Sequence, residues 1–172
     1  YPLRRQRQMC IRDSLKEDQP TNPQSCYATA KDCLRRVLEI RCARYGIQWC
    51  WARIFYPFGK GQNPNSFLPS LDRAIENGDS KFAMSSGRQL RDFIAVEDVA
   101  ASLLCLAQHP GSSGIYNIGA GQPLSLRELA EGRIAKSSSS IRLELGAFPD
   151  RVDEPTAFWA DITKTSRLLG SL

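Results

Sequence analysis

Two side chains of complementary acid–base character, Tyr27 and Lys31, stand four residues apart in Tyr27-Ala28-Thr29-Ala30-Lys31. On a helix this spacing sets the phenol and the ammonium on one face, one turn apart. A free phenol is a poor base at neutral pH, and a neighbouring cation favours its phenolate form. A tyrosine so placed can exchange a proton with a sugar or alcohol hydroxyl. The same spacing also arises by chance, as a half-buried Tyr beside a solvated Lys, so its meaning depends on what surrounds it.

The surroundings are those of an ordinary globular chain. The 172 residues are 42% hydrophobic, enough for one domain with a real core. No apolar run approaches the roughly 20 residues that cross a bilayer, so a soluble, cytoplasmic protein without a membrane partner is expected. The six cysteines form no C-x-x-C pair and are expected to be reduced packing residues. His109, the single histidine, precedes Pro110 in an expected loop, which argues against a histidine-based metal site or triad. Of the net charge of +5, the stretch containing Arg4, Arg5, Arg7, Arg12 and Asp13 supplies +3. The remainder mixes both signs, which does not suit a nucleic-acid partner.

The elements that must position Tyr27 and Lys31 follow from periodicity. Residues 1–15 have neither helical nor strand spacing and read as a non-native leader. A helix is expected over 24–45, carried by Tyr27, Ala30, Leu34, Val37 and Leu38 and stopped at Gly46. A strand is expected over 47–55, then helices over 67–77, 96–108, 125–135 and 161–169 and strands over 81–84, 90–95, 114–118 and 141–145. This alternation predicts an α/β fold with strands separated by helices.

Five collinear segments then stand out: Tyr27–Lys31, Arg53-Ile-Phe-Tyr-Pro-Phe-Gly-Lys-Gly-Gln62, Arg91-Asp-Phe-Ile-Ala-Val-Glu-Asp-Val99, Tyr116-Asn-Ile-Gly-Ala-Gly121, and Ala160-Asp-Ile-Thr-Lys164 with Arg167-Leu-Leu-Gly170. Together they resemble the C-terminal portion of the extended short-chain dehydrogenase/reductases, specifically the NAD-dependent epimerase/dehydratase family that acts on nucleotide-sugars. The resemblance implies the C-terminal part of a Rossmann-like NAD(P)-binding domain plus a small α/β substrate-binding domain. Residues 16–62 would be the Rossmann remnant bearing the Tyr-x-x-x-Lys helix. Residues 63–172 would be mainly the substrate-binding region, with returns to the Rossmann domain around 90–118.

The resemblance also implies roles. Tyr27 would be the acid/base, and Lys31 would favour its phenolate and hydrogen-bond the nicotinamide ribose of NAD or NADP. Phe55, Tyr56 and Pro57 would line the nicotinamide, with Pro57 fixing its own φ and biasing Tyr56 toward an extended backbone. Many members carry Asn where this chain has Tyr56. Arg91 and Arg151, the latter with Glu154, match the arginines that grip a nucleotide-sugar diphosphate, and Asn65 falls in the loop that reaches over that ligand. The alternative reading pairs Arg91 with Asp92 on the surface and leaves Arg151 as a solvated loop charge. Asp161 and Lys164 are expected to cap and decorate the last helix.

Two family features are missing from the sequence. The Gly-x-x-Gly-x-x-Gly phosphate turn does not occur, and neither Gly111-Ser-Ser-Gly114 nor Gly119-Ala-Gly121 has its spacing or context. The family's catalytic Ser or Thr would fall inside the unpatterned leader, where only Ser14 stands. The chain therefore reads as a fragment of an NAD(P)-dependent nucleotide-sugar epimerase, dehydratase or reductase that exposes apolar surface where the missing part would pack. A homodimer through the Tyr-bearing helix, with Leu34, Leu38 and Cys42 in the seam, is a further expectation. The competing function is a catalytically silent relative, a dinucleotide sensor or scaffold on the same fold.

Overall fold

The computed structural model describes residues 14–151 and 154–170. The helix Cys26–Tyr45 (α1) begins where the Ser25 hydroxyl accepts the Ala28 N–H at 3.1 Å, and it ends at Gly46. Gly46 adopts φ 63°, the left-handed conformation that glycine enters without steric cost. The strand Cys50–Ile54 (β2) then runs parallel to Gly114–Ile118 (β7), with Cys50 opposite Gly114 and Ile54 opposite Ile118.

The expected strand over 47–55 is shorter and the chain re-enters a second pairing at once. Phe55 donates its N–H to the Ile118 carbonyl and Tyr56 donates its own to Asp92. Tyr56–Phe58 (β3) thereby changes partner and runs parallel to Phe93–Ala95 (β6). The expected strand over 90–95 is likewise divided, because Leu90–Arg91 (β5) pairs antiparallel with Leu124–Ser125 (β8). Asp92, between β5 and β6, is 0% exposed.

Two apolar clusters hold these pairs. The first joins Ile94, Val99, Leu106, Tyr116 and Ile118, beneath the helix Val96–Gln108 (α3). The second joins Leu71, Met84 and Ala130 with Phe67, Phe82 and Leu126. It lies among the helices Phe67–Glu76 (α2) and Leu126–Ser137 (α4) and the parallel strands Lys81–Met84 (β4) and Arg142–Leu145 (β9). Ser125 starts α4 with a full capping box, its hydroxyl taking the Glu128 N–H while the Glu128 carboxylate takes the Ser125 N–H.

Three further expectations change. Ser14 and Leu15 are not unpatterned: they form β1, parallel to Trp159–Ala160 (β10), and residues 1–13 lie outside the described residues. Glu17 holds this segment in place, its carboxylate accepting the Asn117 N–H at 3.1 Å. The cysteines are free where described, but Cys26, Cys33 and Cys50 are exposed and only Cys42 and Cys105 are packed in the interior; Cys10 lies outside the described residues. The last helix, Thr163–Leu169 (α5), starts two residues later than expected, with the Asp161 carboxylate accepting the Thr163 N–H.

The inward face of α1 is polar. Asp32 accepts from Arg35 at 3.1 Å and from Arg36 at 2.8 Å, with both Asp32 and Arg35 largely covered. Its apolar residues, Tyr27, Leu34, Val37, Leu38 and Ile40, are exposed instead. Among the described residues no helix is long and apolar enough to cross a membrane.

Candidate active site

Tyr27 and Lys31 lie in the first two turns of α1, and the Lys31 ammonium sits 5.6 Å from the Tyr27 ring centroid. The helical spacing read from the sequence is therefore realised as a contact. Tyr27 is 73% exposed, so its hydroxyl is open to a ligand approaching that face.

The other expected residues gather elsewhere. Tyr56, Asn65, Arg91, Arg151 and Glu154 all line one cavity of about 940 Å3 between the β3/β6 pair and the α2, β4 layer. Tyr27 and Lys31 do not line it. Phe55 and Tyr56 also line a smaller neighbouring cavity of about 240 Å3, which makes Tyr56 a wall between the two. Pro57 lines the larger one and its carbonyl accepts from the Gln62 side chain at 3.2 Å.

Arg91 is the best-fixed cation of the cavity. It is 2% exposed, and its guanidinium donates to the Tyr56 hydroxyl at 3.2 Å, the Leu90 carbonyl at 2.9 Å and the Glu154 carboxylate at 3.1 Å. Its planar head also stacks 4.8 Å from the Phe158 ring centroid. The alternative reading, a surface arginine paired with Asp92, is wrong on both counts. Asp92 instead accepts the N–H groups of Ala120 at 2.6 Å, Gly121 at 3.1 Å and Ala160 at 2.9 Å. The turn Gly119-Ala120-Gly121 thus cradles an internal carboxylate, and a Cβ at Gly119 would land on the Asp92 Oδ2 atom.

Glu154 bridges the two arginines, one oxygen to Arg91 and the other to Arg151 at 2.8 Å. Burial works to raise its pKa, but the hydrogen bonds and charges of Arg151 and Arg91 outweigh that effect and hold the carboxyl below the ordinary glutamate value. Arg151 is otherwise free toward solvent, its side chain 81% exposed. An anionic ligand arriving here meets an exposed arginine backed by a buried one.

Asn65 stands just before α2, its N–H donated to the Asn63 side chain at 2.9 Å. Sequence reasoning missed Gln89, Asp150 and Phe158. Gln89 lines the cavity and donates to Asp150 at 2.9 Å. The Ser86 side chain first, then the Ser86 backbone and the Ser85 and Gln89 side chains, donate to Asp150 and hold its carboxyl below its ordinary value against the opposing effect of burial. Nothing local marks Gln89 and Asp150 as partners, nor Phe158 as the partner of Arg91. Lys164, expected to decorate α5, donates to the Ile115 carbonyl at 2.7 Å and stacks on Tyr116, so it is structural.

Of the residues expected at the nicotinamide end of a dinucleotide, Tyr27 and Lys31 are in contact and exposed, and the Phe55 and Tyr56 N–H groups are bonded to the carbonyls of Ile118 and Asp92. The chain matches the model of the NAD dependent epimerase/dehydratase family over residues 5–119. It is 28% identical over 143 residues, 81% of this chain and 52% of the relative, to dTDP-6-deoxy-L-talose 4-dehydrogenase (NAD(+)) of Aggregatibacter actinomycetemcomitans. Its structure resembles UDP-N-acetylglucosamine 4-epimerase from Methanobrevibacter ruminantium M1, solved with UDP-N-acetylmuramic acid, with TM-score 0.83 and 27% identity over 93% of this chain and 52% of that one. It also resembles MoeE5, solved with UDP-glucuronic acid and NAD, with TM-score 0.78 and 26% identity over 94% of this chain and 54% of that one. The chain spans about half the length of the relatives it matches. With the α/β fold and the matched model in agreement, the chain belongs to the NAD-dependent epimerase/dehydratase family.

Proposed function

We propose that this chain supplies the acid–base and substrate-holding part of an NAD(P)-dependent enzyme that epimerises, dehydrates or reduces a nucleotide-diphosphate sugar. The observation that carries the reading is the arginine pair: Arg91 and Arg151 share one cavity with Tyr56 and Asn65, which suits the charge of a diphosphate. Arg151 is the direct diphosphate ligand and Arg91 sets the position of Glu154 and Tyr56 around it. When bound, the dinucleotide supplies the acceptor or donor of hydride at a sugar carbon.

Tyr27 does the proton work. Its hydroxyl oxygen takes the proton of the sugar carbinol as the carbonyl forms, and returns it when a ketone is reduced. Lys31, 5.6 Å from the ring, donates to the nicotinamide ribose. The backbone of Phe55, Tyr56 and Pro57 forms the wall on which the nicotinamide rests, fixed by its two pinned N–H groups. Leu34 and Leu38, exposed on α1, pack against a second copy in a homodimer, whereas Cys42, expected in the same seam, is buried within this chain and takes no part in it.

The test uses the complete open reading frame that contains this chain, assayed by nicotinamide absorbance with UDP-, dTDP- and GDP-sugars. Tyr27→Phe is expected to lower kcat by about 10²–10⁴-fold. Turnover within tenfold of wild type would sink the acid–base role of Tyr27, whereas no turnover by wild type on any of these sugars would favour the silent relative, a reading that the separation of Tyr27 from the larger cavity otherwise supports.

A further inference from the structure

The geometry points to the Tyr56 phenol as the residue that reads the sugar: its hydroxyl donates a hydrogen bond to an acceptor oxygen on the hexose of the bound nucleotide-sugar. This rests on the nucleotide-sugar reading of the cavity and assigns a specificity-determining contact within it.

The ring of Tyr56 cannot wander. It meets Phe93 edge-on at 5.8 Å and Phe158 at 5.8 Å, and its backbone N–H is bonded to Asp92. Its hydroxyl oxygen is an acceptor for the Arg91 Nε–H at 3.2 Å. A guanidinium has no acceptor capacity, so Arg91 fixes the oxygen and leaves the phenol's own proton to another partner. Among the described residues no hydrogen bond has that proton as donor. Tyr56 is 38% exposed and lines the cavity, so a ligand oxygen can take the open place.

The role of Arg91 follows from the same contacts. With three donors committed to protein atoms and one face stacked on Phe158, it acts through Tyr56 and Glu154. A phenol here reaches further than a short amide would. It presents one strong donor in place of an amide's donor and acceptor, which favours sugars offering a keto, carboxylate or hydroxyl oxygen at that point.

The experiment is isothermal titration of the product of the complete open reading frame that contains this chain with UDP, dTDP and GDP and with UDP-glucose, dTDP-glucose and GDP-mannose. Wild type is expected to bind at least one sugar nucleotide more tightly than its bare diphosphate. Tyr56→Phe, which keeps the aromatic packing, is expected to lose about fivefold on that sugar nucleotide and to change less than twofold on the bare diphosphate. Equal losses on both, or no loss, overturn the Tyr56 assignment and leave the nucleotide-sugar reading standing. Absence of binding by wild type to all six overturns that reading itself. Deoxy analogues of the preferred sugar, titrated against wild type, repeat the test without a substitution: one position is expected to lose about fivefold, and no position doing so overturns the assignment.

Discussion

Removing the Asp92 carboxylate tests the frame on which the site is built. It joins β5 and β6 to the Gly119–Gly121 turn and to β10 through three N–H donors, two of them within 2.9 Å. In Asp92→Ala the Ala160 N–H, on a residue 2% exposed, is left without an acceptor, which costs about 1–3 kcal/mol. Ala120 is exposed and Gly121 partly so, and water recovers part of what they lose, so each contributes about 0.5–1.5 kcal/mol. The total is about 4 kcal/mol, a large share of the roughly 5–15 kcal/mol that holds a domain folded. With a urea slope of about 2 kcal/mol/M, the unfolding midpoint falls by about 2 M. Asp92→Asn keeps one acceptor oxygen but turns an N–H donor toward the remaining backbone N–H, so it should recover little of the loss. Gly119→Ala drives a Cβ onto the same carboxylate oxygen, so its cost should shrink in the Asp92→Ala background. A midpoint shift under about 0.5 M for Asp92→Ala would refute this reasoning.

Further outcomes follow from the same geometry. The folded-state pKa of Glu154 is depressed, so its contribution to stability is fully present above about pH 4.3 and is lost as pH falls through the lower folded value. Urea midpoints of wild type and Glu154→Gln should therefore converge on acidification below about pH 4.3, and a gap that widens there would contradict the bridge. Ser125→Ala removes the hydroxyl from the α4 capping box and should cost about 1 kcal/mol in denaturant unfolding, with an unchanged value showing that the cap is not used in solution.

Much of this arrangement was legible because it depends on near neighbours. The run ending at Gly46 marked α1, and Val96–Gln108 carried its own periodicity and its acidic first turn. The Tyr27–Lys31 contact follows from helical geometry alone. What stayed hidden depends on residues far apart in the chain. The change of partner between β2 and β3 is made by carbonyls at Asp92 and Ile118, and nothing in Ile54-Phe55-Tyr56 announces it. Arg91 and Glu154 were each marked by the family resemblance, but their pairing, together with Phe158 and Tyr56, exists only once β3, β5 and the 148–158 segment meet. The polar inner face of α1 was also hidden, since apolar residues at helical spacing ordinarily mark the buried face, and here Leu34, Val37 and Leu38 are exposed while Asp32 and Arg35 are covered.

The structure of the complete reading frame's product with NAD and its preferred nucleotide-sugar is the most direct measurement. The account predicts the diphosphate on Arg151, the hexose within hydrogen-bond distance of both Tyr56 and Tyr27, and the nicotinamide between Lys31 and the Phe55–Pro57 turn. A sugar bound in another cavity, or a Tyr27 hydroxyl facing away from both ligands, would contradict it.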